Sequence, residues 1–420
     1  MDIVELADQL WRGEITTSSH SPMDVGEGIC EVTDDVVFLP SFGNVTAVRT
    51  DDGLFMVDTG SQLTASAMHD TVRSWSDQRL NTAVFSHGHI DHVFGVRGFE
   101  NEAAAKGWEP PRIVAHENLP KRFDRYVLTH GYNQTVNRRQ FGFGDLKWPK
   151  TYRYPDETYV TEHVLDIGGL SVNLRHEKGE TDDATVTWLP SKKVLCTGDM
   201  FIWTSPNAGN PQKVQRYPLE WAQGLRRMIE LGPEFLLPGH GLPIIGKDRI
   251  TQALSETAEY LENIVEQVLT MMNAGARLSD IVSTVKPPAH LLDRPYLQPL
   301  YDEPEFIVHN IWRLYGGWWD GNPANLKPAN ERAIAREFAE LAGGPGKLSD
   351  RAEVLLGEAT DDSLRMAGHL IEMAWLANPS DEGIQSMRQR IFKARADAAT
   401  STMSRGVFNW AVRESTGEAF

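Results

Sequence analysis

One short segment of the chain carries four candidate metal ligands within six consecutive positions: His87, His89, Asp91 and His92. An apolar run typical of a buried strand, residues 82–86, comes directly before it. A strand that ends in a loop can point the first two side chains at one metal ion and the last two at a neighbouring ion. The whole chain contains only 13 histidines, so three of them within six residues are improbable by chance. The segment therefore predicts a metal site, and its ligand types suit zinc, with iron or manganese as substitutes.

Short apolar runs separated by turns dominate the first 246 residues. Nine of these runs are typical of strands: 36–40, 44–50, 54–59, 82–86, 112–116, 171–176, 184–189, 193–197 and 235–238. Helical patterns cover residues 63–76, 119–130 and 219–231. Because the strands are many, short and joined mostly by turns, the pattern favours two packed sheets flanked by helices over a doubly wound parallel sheet.

The character of the sequence changes after residue 246. A long helix is predicted over residues 248–274, where apolar residues recur at helical spacing. From residue 330 onward the pattern is typical of successive helices separated by turns at 343–346, 361–362 and 378–379. A chain of 420 residues also exceeds the size at which one core usually stops growing. We therefore predict an α/β domain over 1–246, followed by an all-α domain over 247–420.

The net charge of −17, from 41 basic and 58 acidic residues, opposes the binding of nucleic acid or of an anionic membrane. A small anionic substrate is still compatible with this charge, because two bound divalent cations dominate the field locally. No apolar run approaches the ~20 residues that span a bilayer, and the N-terminus lacks the features of a signal peptide. The two cysteines, Cys30 and Cys196, are expected to be free thiols. We expect a cytoplasmic location.

A single motif seldom completes a metal site, so further ligands are expected at later strand ends. Three candidates follow an apolar strand or a glycine turn: Glu180, Asp199 and His240. Upstream, Asp58 closes another apolar strand with a carboxylate. In chain order, these residues and the 87–92 segment resemble the motifs of the metallo-β-lactamase superfamily. That resemblance implies an αββα sandwich with the metal ions at the edges of its sheets.

The motif around Glu180, the third in chain order, narrows the resemblance to one branch of the superfamily. It reads Gly-Glu-Thr around Glu180, where most members of the superfamily carry a histidine, and a glutamate there resembles the alkylsulfatase branch. Residues 133–144 are similar to the Asn–Arg–Arg–aromatic–Gly run of that branch. Residues 309–323 resemble the opening of its helical dimerisation domain. The resemblance implies a homodimer, although the same helices could instead pack against the first domain.

Three departures from that branch bear on the substrate. The bridging position holds Asp199 where those enzymes usually carry glutamate, and phenylalanines replace tyrosines in the 133–144 run. The sterol-carrier-like C-terminal domain of many alkylsulfatases has no counterpart in the 420 residues, so we expect a branch member without it. The resemblance to the alkylsulfatase branch therefore predicts the metal chemistry of this chain better than it predicts the substrate.

The resemblance implies a site of seven ligands for two zinc ions. The ligands of metal one would be His87, His89 and Glu180, those of metal two Asp91, His92 and His240, and the bridge Asp199. Coordination lowers the pKa of a bound water from about 15.7 to about 7, so hydroxide is the expected nucleophile, and Asp91 would orient it. The extra negative charge of Glu180 leads to the hypothesis of tighter metal retention and a slightly weaker Lewis acid. A Glu180→His variant with unchanged metal affinity and pH–rate profile would contradict that hypothesis.

Three arginines are candidate partners for an anionic substrate head: Arg138, Arg139 and Arg216. A guanidinium group can bind a sulfate or a carboxylate through two parallel hydrogen bonds. Surface salt bridges explain any one of these arginines equally well.

The leading functional hypothesis is hydrolysis of alkyl sulfate esters by a metal-activated water. The same metal site would serve a lactone, carboxylic ester or thioester hydrolase, whose apolar pocket would be lined by Trp203, Trp221, Phe141 and Phe143. A single-iron oxygenase needs fewer ligands than the sequence offers, and a non-catalytic metal-binding scaffold would have lost some of them. We expect a small substrate that is anionic or carries an apolar tail.

Overall fold

The computed structural model describes residues 2–26, 28–142 and 144–417. The strands of this part of the chain are β1 Cys30–Thr33, β2 Val36–Leu39, β3 Val45–Thr50, β4 Gly53–Val57, β5 Leu80–Val84, β6 Arg112–His116, β7 Glu157–Tyr159, β8 Glu162–Ile167, β9 Leu170–Glu177, β10 Ala184–Leu189, β11 Val194–Ile202, β12 Phe235–His240 and β13 Ile244–Ile245. The α-helices are α1 Ile3–Trp11, α2 Ala65–Trp75, α3 Val96–Lys106, α4 Asn118–Leu128, α5 His130–Phe141, α6 Pro218–Glu230, α7 Lys247–Asn273, α8 Leu278–Thr284, α9 Pro304–Gly316, α10 Pro323–Leu326, α11 Glu331–Ala342, α12 Pro345–Glu358, α13 Asp361–Ala377, α14 Glu382–Ala398 and α15 Thr402–Thr416.

The strands form two mixed sheets. Strands β1 to β7 follow one another in the first sheet, and the second has the order β13-β12-β11-β10-β9-β8. Neighbours from β1 to β4 and from β8 to β11 pair antiparallel, whereas β4 to β7 pair in parallel, as do β11 and β12. Parallel neighbours need crossover connections, and the helices α2 to α6 lie in these connections.

Apolar side chains of the two sheets meet in one buried cluster. Phe38 and Phe55 contribute from the first sheet, and Leu174 and Cys196 from the second. A separate cluster joins the other face of the first sheet to α2, α3 and α4. Helix α6 packs against β9 and β11 of the second sheet. These layers confirm the predicted αββα sandwich, and both cysteines are free thiols, as expected.

The sequence pattern did not indicate strands β1, β7, β8 and β13. Strand β8 shows the reason, because it lies at the edge of its sheet and alternates exposed residues such as Glu162 with buried ones such as Leu165. Its charged side chains interrupt the apolar run on which the strand prediction depended. The helix predicted over 119–130 ends at Leu128, and a separate helix begins at His130.

The chain divides into two compact units. The first consists of Met1–Thr129, Pro149–Gly275 and Asp280–Gly316, and the second of His130–Trp148, Ala276–Ser279 and Gly317–Phe420. The long helix α7 lies in the first unit, where it packs on α6 through one buried face. The domain boundary at residue 246 stays a prediction.

Every regular element described in the second unit is helical, and its core is built mainly from α12 to α15. Ile371, Ile384 and Ile391 lie at the centre of that core. The all-α character expected after residue 246 is therefore confirmed for this unit. Among the described residues, no helix combines the length and the apolar character needed to cross a membrane.

Two histidines stack between the sheets of the first unit. The rings of His116 (β6) and His176 (β9) have centroids 3.6 Å apart and an interplanar angle of 11°. His116 Nε2 donates to the Val160 carbonyl at 2.9 Å, and its Nδ1 accepts from the Asn118 backbone N–H at 3.3 Å. Both ring nitrogens are therefore committed in the neutral form. Burial lowers the pKa of both histidines, and the neighbouring imidazole lowers that of His116 further.

We expect acid to destabilise the fold through this pair. Both folded-state pKa values lie below the ordinary value of 6.5, so in that interval the unfolded chain binds more protons. The stabilisation is complete above about pH 6.5 and is lost as the pH falls through the folded-state pKa. The free energy of unfolding, measured in urea at about pH 7.5 and about pH 5.5, should decrease between these two pH values. The decrease should be smaller for His116→Gln than for the wild type. Equal losses in the two proteins would contradict this assignment.

Candidate metal centre

Most of the polar residues predicted for the site follow or end strands of the two sheets. The 87–92 segment follows β5, Glu180 lies between β9 and β10, Asp199 lies within β11, and His240 ends β12. The structure brings all seven predicted ligands together in two groups. Within each group the candidate ligand atoms all lie within 4.8 Å of one another. The role of these residues as ligands stays a prediction.

The first group consists of His87, His89, Glu180 and Asp199. His87 Nε2 lies 3.6 Å from Asp199 Oδ2 and 3.9 Å from Glu180 Oε2. His89 Nδ1 lies 3.6 Å from the same glutamate oxygen and 2.7 Å from His87 Nε2. Imidazole nitrogens and carboxylate oxygens therefore converge on one small volume.

The second group consists of Asp91, His92 and His240. His240 Nε2 lies 3.3 Å from Asp91 Oδ2 and 3.4 Å from His92 Nε2. Asp199 lies between the two groups, because its Oδ2 is 3.4 Å from His240 Nε2 and its Oδ1 is 3.5 Å from His92 Nε2. A single carboxylate thus touches both sets of ligands.

These donors fit divalent metal ions. Zinc bonds of about 2.0–2.1 Å in tetrahedral geometry place ligand atoms about 3.3–3.4 Å apart, close to most of these spacings. Within the part of the chain that the structure describes, Glu180 Oε2 and Asp199 Oδ1 are buried and have no hydrogen-bond partner. Buried polar atoms normally have a partner, so these two oxygen atoms require one. Burial raises the pKa of Glu180, Arg216 partly opposes this, and Asp199 raises the pKa further. A bound cation would satisfy both oxygen atoms and supply the missing positive charge.

The surroundings shift the pKa values of His87, in the first group, and His92, in the second group, in opposite directions. Burial lowers the pKa of His87 to about 4, and the nearby His92 contributes to the decrease. Burial also opposes a charge on His92, but the carboxylates of Asp199, Asp58 and Asp91 raise its pKa to about 9. A metal ion that binds His92 therefore has to displace a proton, which makes metal binding weaker at low pH.

Asp58 orients His92 from behind the site. Its Oδ2 accepts from His92 Nδ1 at 2.8 Å, and its Oδ1 accepts from the backbone N–H of Ser86 at 2.7 Å. A carboxylate at Nδ1 keeps the proton there and leaves Nε2 for a metal ion. Asp58 adopts a φ of 60°, in the left-handed region that aspartate and asparagine enter more readily than most residues. This turn after β4 aims the carboxylate at the 87–92 segment.

Asp58→Asn should weaken metal retention about 10–100-fold, because an amide holds the His92 proton less strongly than a carboxylate does. Asparagine tolerates the left-handed backbone, so the fold should be retained. A chromogenic chelator titrated against the zinc-loaded protein measures this retention. The matched control is Asp51→Asn, which changes an exposed aspartate before the same strand. Equal retention in the two variants would rule out the orienting role.

A buried ion pair also holds the 87–92 segment. Asp183, which is fully buried, accepts from the Gly88 backbone N–H and from Arg122 Nε, both at 2.9 Å. A Cβ at Gly88 would lie 2.8 Å from Arg122 Cδ, so glycine is needed for this close approach. Neither Asp183 nor Arg122 was predicted from the sequence as part of the site. Their only signal was the position of Asp183 three residues after Glu180.

The loop between β11 and α6 brings two side chains to Glu180. The guanidinium of Arg216, which is 2% exposed, donates to the Glu180 carbonyl, and its Nη2 lies 3.4 Å from Glu180 Oε1. Asn207 Nδ2 donates to the same carboxylate oxygen. The predicted Arg216 thus lies beside the first group, together with Asn207, which was not predicted from the sequence.

The other two predicted arginines belong to the second compact unit. Arg138 Nε donates to the Leu146 carbonyl at 2.9 Å, and the guanidinium carbon of Arg139 lies 5.1 Å from the ring centre of Trp410. Their contribution to substrate binding stays a prediction.

The apolar pocket predicted for a carboxylic-ester substrate does not include the two tryptophans of the first unit. Trp203 and Trp221 are fully buried. Their indole N–H groups donate to the carbonyls of Leu242 at 2.6 Å and Met200 at 2.7 Å. Both are core residues, because buried tryptophan satisfies its single donor within the fold. Phe143 lies outside the described residues.

Comparison with known families agrees with this geometry. Residues 39–240 match the metallo-beta-lactamase superfamily, and residues 277–418 match the alkyl sulfatase dimerisation family. The chain joins a metallo-beta-lactamase domain to an alkyl sulfatase dimerisation domain. The resemblance drawn from the sequence motifs is thereby confirmed. Residues 280–316 of the dimerisation match fold within the first compact unit.

This two-domain chain is homologous to linear primary- and secondary-alkylsulfatases. It is 29% identical over 325 residues to a linear primary-alkylsulfatase of Pseudomonas sp.. That alignment covers 72% of this chain and 61% of the relative. It is 24% identical over 373 residues to an (R)-specific secondary-alkylsulfatase of Pseudomonas sp.. That alignment covers 82% of this chain and 56% of the relative. The chain therefore spans about three fifths of the length of these relatives.

The fold of this chain is shared with a solved structure. A stereoselective inverting sec-alkylsulfatase from Pseudomonas sp. superposes with a TM-score of 0.85 at 21% identity, covering 94% of this chain and 66% of that chain. The match extends beyond the metallo-beta-lactamase domain, since that domain accounts for residues 39–240 alone.

Proposed function

We propose that the protein hydrolyses alkyl sulfate esters at a site for two zinc ions, held by the seven residues predicted from the sequence. The observation that carries the proposal is the pair of adjacent ligand groups with Asp199 between them, in a chain homologous to alkylsulfatases. When bound, divalent cations supply Lewis acidity and lower the pKa of water to about 7.

The surrounding residues have roles that follow from their positions. Asp91, whose Oδ2 lies 3.3 Å from His240 Nε2, would orient the attacking water. Arg216 would bind the sulfate, because its Nε is buried without an acceptor among the described residues. An alkyl tail would contact Phe42, which is 50% exposed and lies edge-on to His240 with ring centroids 5.5 Å apart.

A homodimer and the boundary at residue 246 are further parts of the proposal. The match to a dimerisation family supports self-association. Apolar side chains on the second unit also support it, since Trp318 is 72% and Leu341 is 84% exposed. The cytoplasmic location stays a prediction of the sequence.

A substrate screen on the zinc-loaded protein tests the function. Primary and secondary alkyl sulfates should release inorganic sulfate, and lactones, carboxylic esters and thioesters of the same chain length should react at least about tenfold more slowly. Metal analysis of the same sample should give two ions per chain. Faster turnover of a carbonyl ester would overturn the sulfatase proposal and favour the acyl-hydrolase hypothesis.

A further inference from the structure

The loop that presents Asn207 and Arg216 to Glu180, residues 203–217, runs between β11 and α6. It contains no regular secondary structure of its own, yet most of its residues are buried. A loop of this kind needs partners for its backbone groups. Partners for Ser205, Gly209 and Arg216 come from residues 298–313, which lie after the metallo-beta-lactamase match and within the first compact unit.

Asn310, on α9, forms several of these contacts. Its Oδ1 accepts from the Arg216 backbone N–H at 3.2 Å, and its Nδ2 donates to the Arg216 carbonyl at 3.0 Å. Gln215 Nε2 donates to the same Oδ1 at 2.9 Å and to the Asn310 carbonyl at 3.1 Å. Asn310 is 4% exposed. One amide side chain therefore satisfies both backbone groups of the residue whose guanidinium reaches Glu180.

Asp302 secures the other part of the loop. Its Oδ2 accepts from the Gly209 backbone N–H at 2.5 Å, and its Oδ1 accepts from the Glu303 N–H at 2.8 Å. A Cβ on Gly209 would lie 2.1 Å from the backbone nitrogen of Ile307, so the loop touches the first turn of α9 directly. Gly209 follows Asn207 by two residues. Asp302 is fully buried and therefore has no alternative partner in solvent.

We infer that Asn310 and Asp302 are positioning residues, which hold the 203–217 loop so that Arg216 and Asn207 meet the Glu180 carboxylate. The start of the dimerisation-family segment thus has a part in building the candidate site, in addition to any role in self-association. The loop-holding role stands on the contacts alone. Its consequence for substrate binding rests on the proposed function.

Amide hydrogen exchange on the zinc-loaded full chain tests the holding role directly. In Asn310→Ala, peptides that cover residues 205–217 should exchange about tenfold faster, because the buried Arg216 N–H loses its acceptor. Asp302→Asn should accelerate the same peptides, which gives a second route if the first variant folds poorly. The control is His309→Ala, on the same helix and exposed, which should leave these peptides at the wild-type rate. Unchanged exchange in both Asn310→Ala and Asp302→Asn would overturn the inference.

Kinetics with an alkyl sulfate test the consequence. Asn310→Ala should raise KM about tenfold and change kcat less, since it displaces the guanidinium that binds the anion. In an Arg216→Met background, Asn310→Ala should have little further effect on KM, because the two residues act on one contact. Full additivity would show that Asn310 acts on KM through global stability. A wild type without sulfatase activity would defeat the proposed function, while the exchange result would still decide the holding role.

Discussion

Asp199→Asn should abolish most of the proposed hydrolytic activity and remove about one metal ion per chain. Asp199 Oδ2 lies 3.6 Å from His87 Nε2 and 3.4 Å from His240 Nε2, so one carboxylate serves both candidate ligand groups. An amide has a similar shape but carries no charge, and its nitrogen cannot act as a ligand. A loss of several kcal/mol of transition-state stabilisation corresponds to a decrease of about a thousandfold in rate.

The steric fit at Asp199 makes this substitution informative. A Cβ on Gly239 would lie 2.2 Å from Asp199 Oδ1, so the carboxylate is tightly enclosed and an isosteric change is required. Metal content and the rate of sulfate release should be measured on the same preparation. The control is Asp166→Asn, which changes an exposed aspartate of β8 and should alter neither quantity. If Asp199→Asn keeps two metal ions and the wild-type rate, the bridging role is wrong.

Arg388→Met should lower the stability of the second unit by about 1.5–3 kcal/mol, because it removes the charge-assisted hydrogen bonds of a buried guanidinium. Arg388 is 3% exposed and lies on α14. It bonds Glu372 Oε2 at 2.8 Å on α13, and Glu414 Oε2 at 2.8 Å and the Ala411 carbonyl at 2.8 Å on α15. Its guanidinium carbon also lies 4.1 Å from the ring centre of Trp375. One side chain thus connects three helices.

The same helix offers a matched control for Arg388. Arg390 pairs with Glu353 at 2.7 Å, but both side chains are more than half exposed. Arg390→Met should therefore cost less than about 1 kcal/mol. Urea unfolding followed by far-ultraviolet circular dichroism measures both variants. Similar midpoints for the two would show that the Arg388 network adds no more stability than an exposed pair does.

Local patterns in the sequence were sufficient for the fold class. Apolar runs such as residues 112–116 and 184–189 coincide with β6 and β10, because a strand buried on both faces leaves a continuous apolar signature. Edge strands such as β8 carry exposed charges, so their pattern is weaker. The helix from Lys247 to Asn273 was predicted to within one residue at each end, since its buried face repeats at helical spacing.

The sequence was less informative about how the site is held. Asp183 and Gly88 are 95 residues apart, and Asn310 and Arg216 are 94 residues apart. No local spacing links such pairs, because their contact depends on strand register and on the paths of several loops. Trp203 and Trp221 show that closeness in sequence to candidate ligands does not place a side chain in the site. Both were predicted to line a substrate pocket, and both are buried in the core.

The sequence by itself determined the candidate ligands and the family resemblance of this protein, through the 87–92 segment followed in order by Glu180, Asp199 and His240. Only the tertiary structure decided that Asp199 lies between two ligand groups, and that residues 298–313 hold the loop carrying Arg216. The physical reason is that ligand chemistry belongs to individual side chains. Their convergence depends on the folded path of the whole first unit.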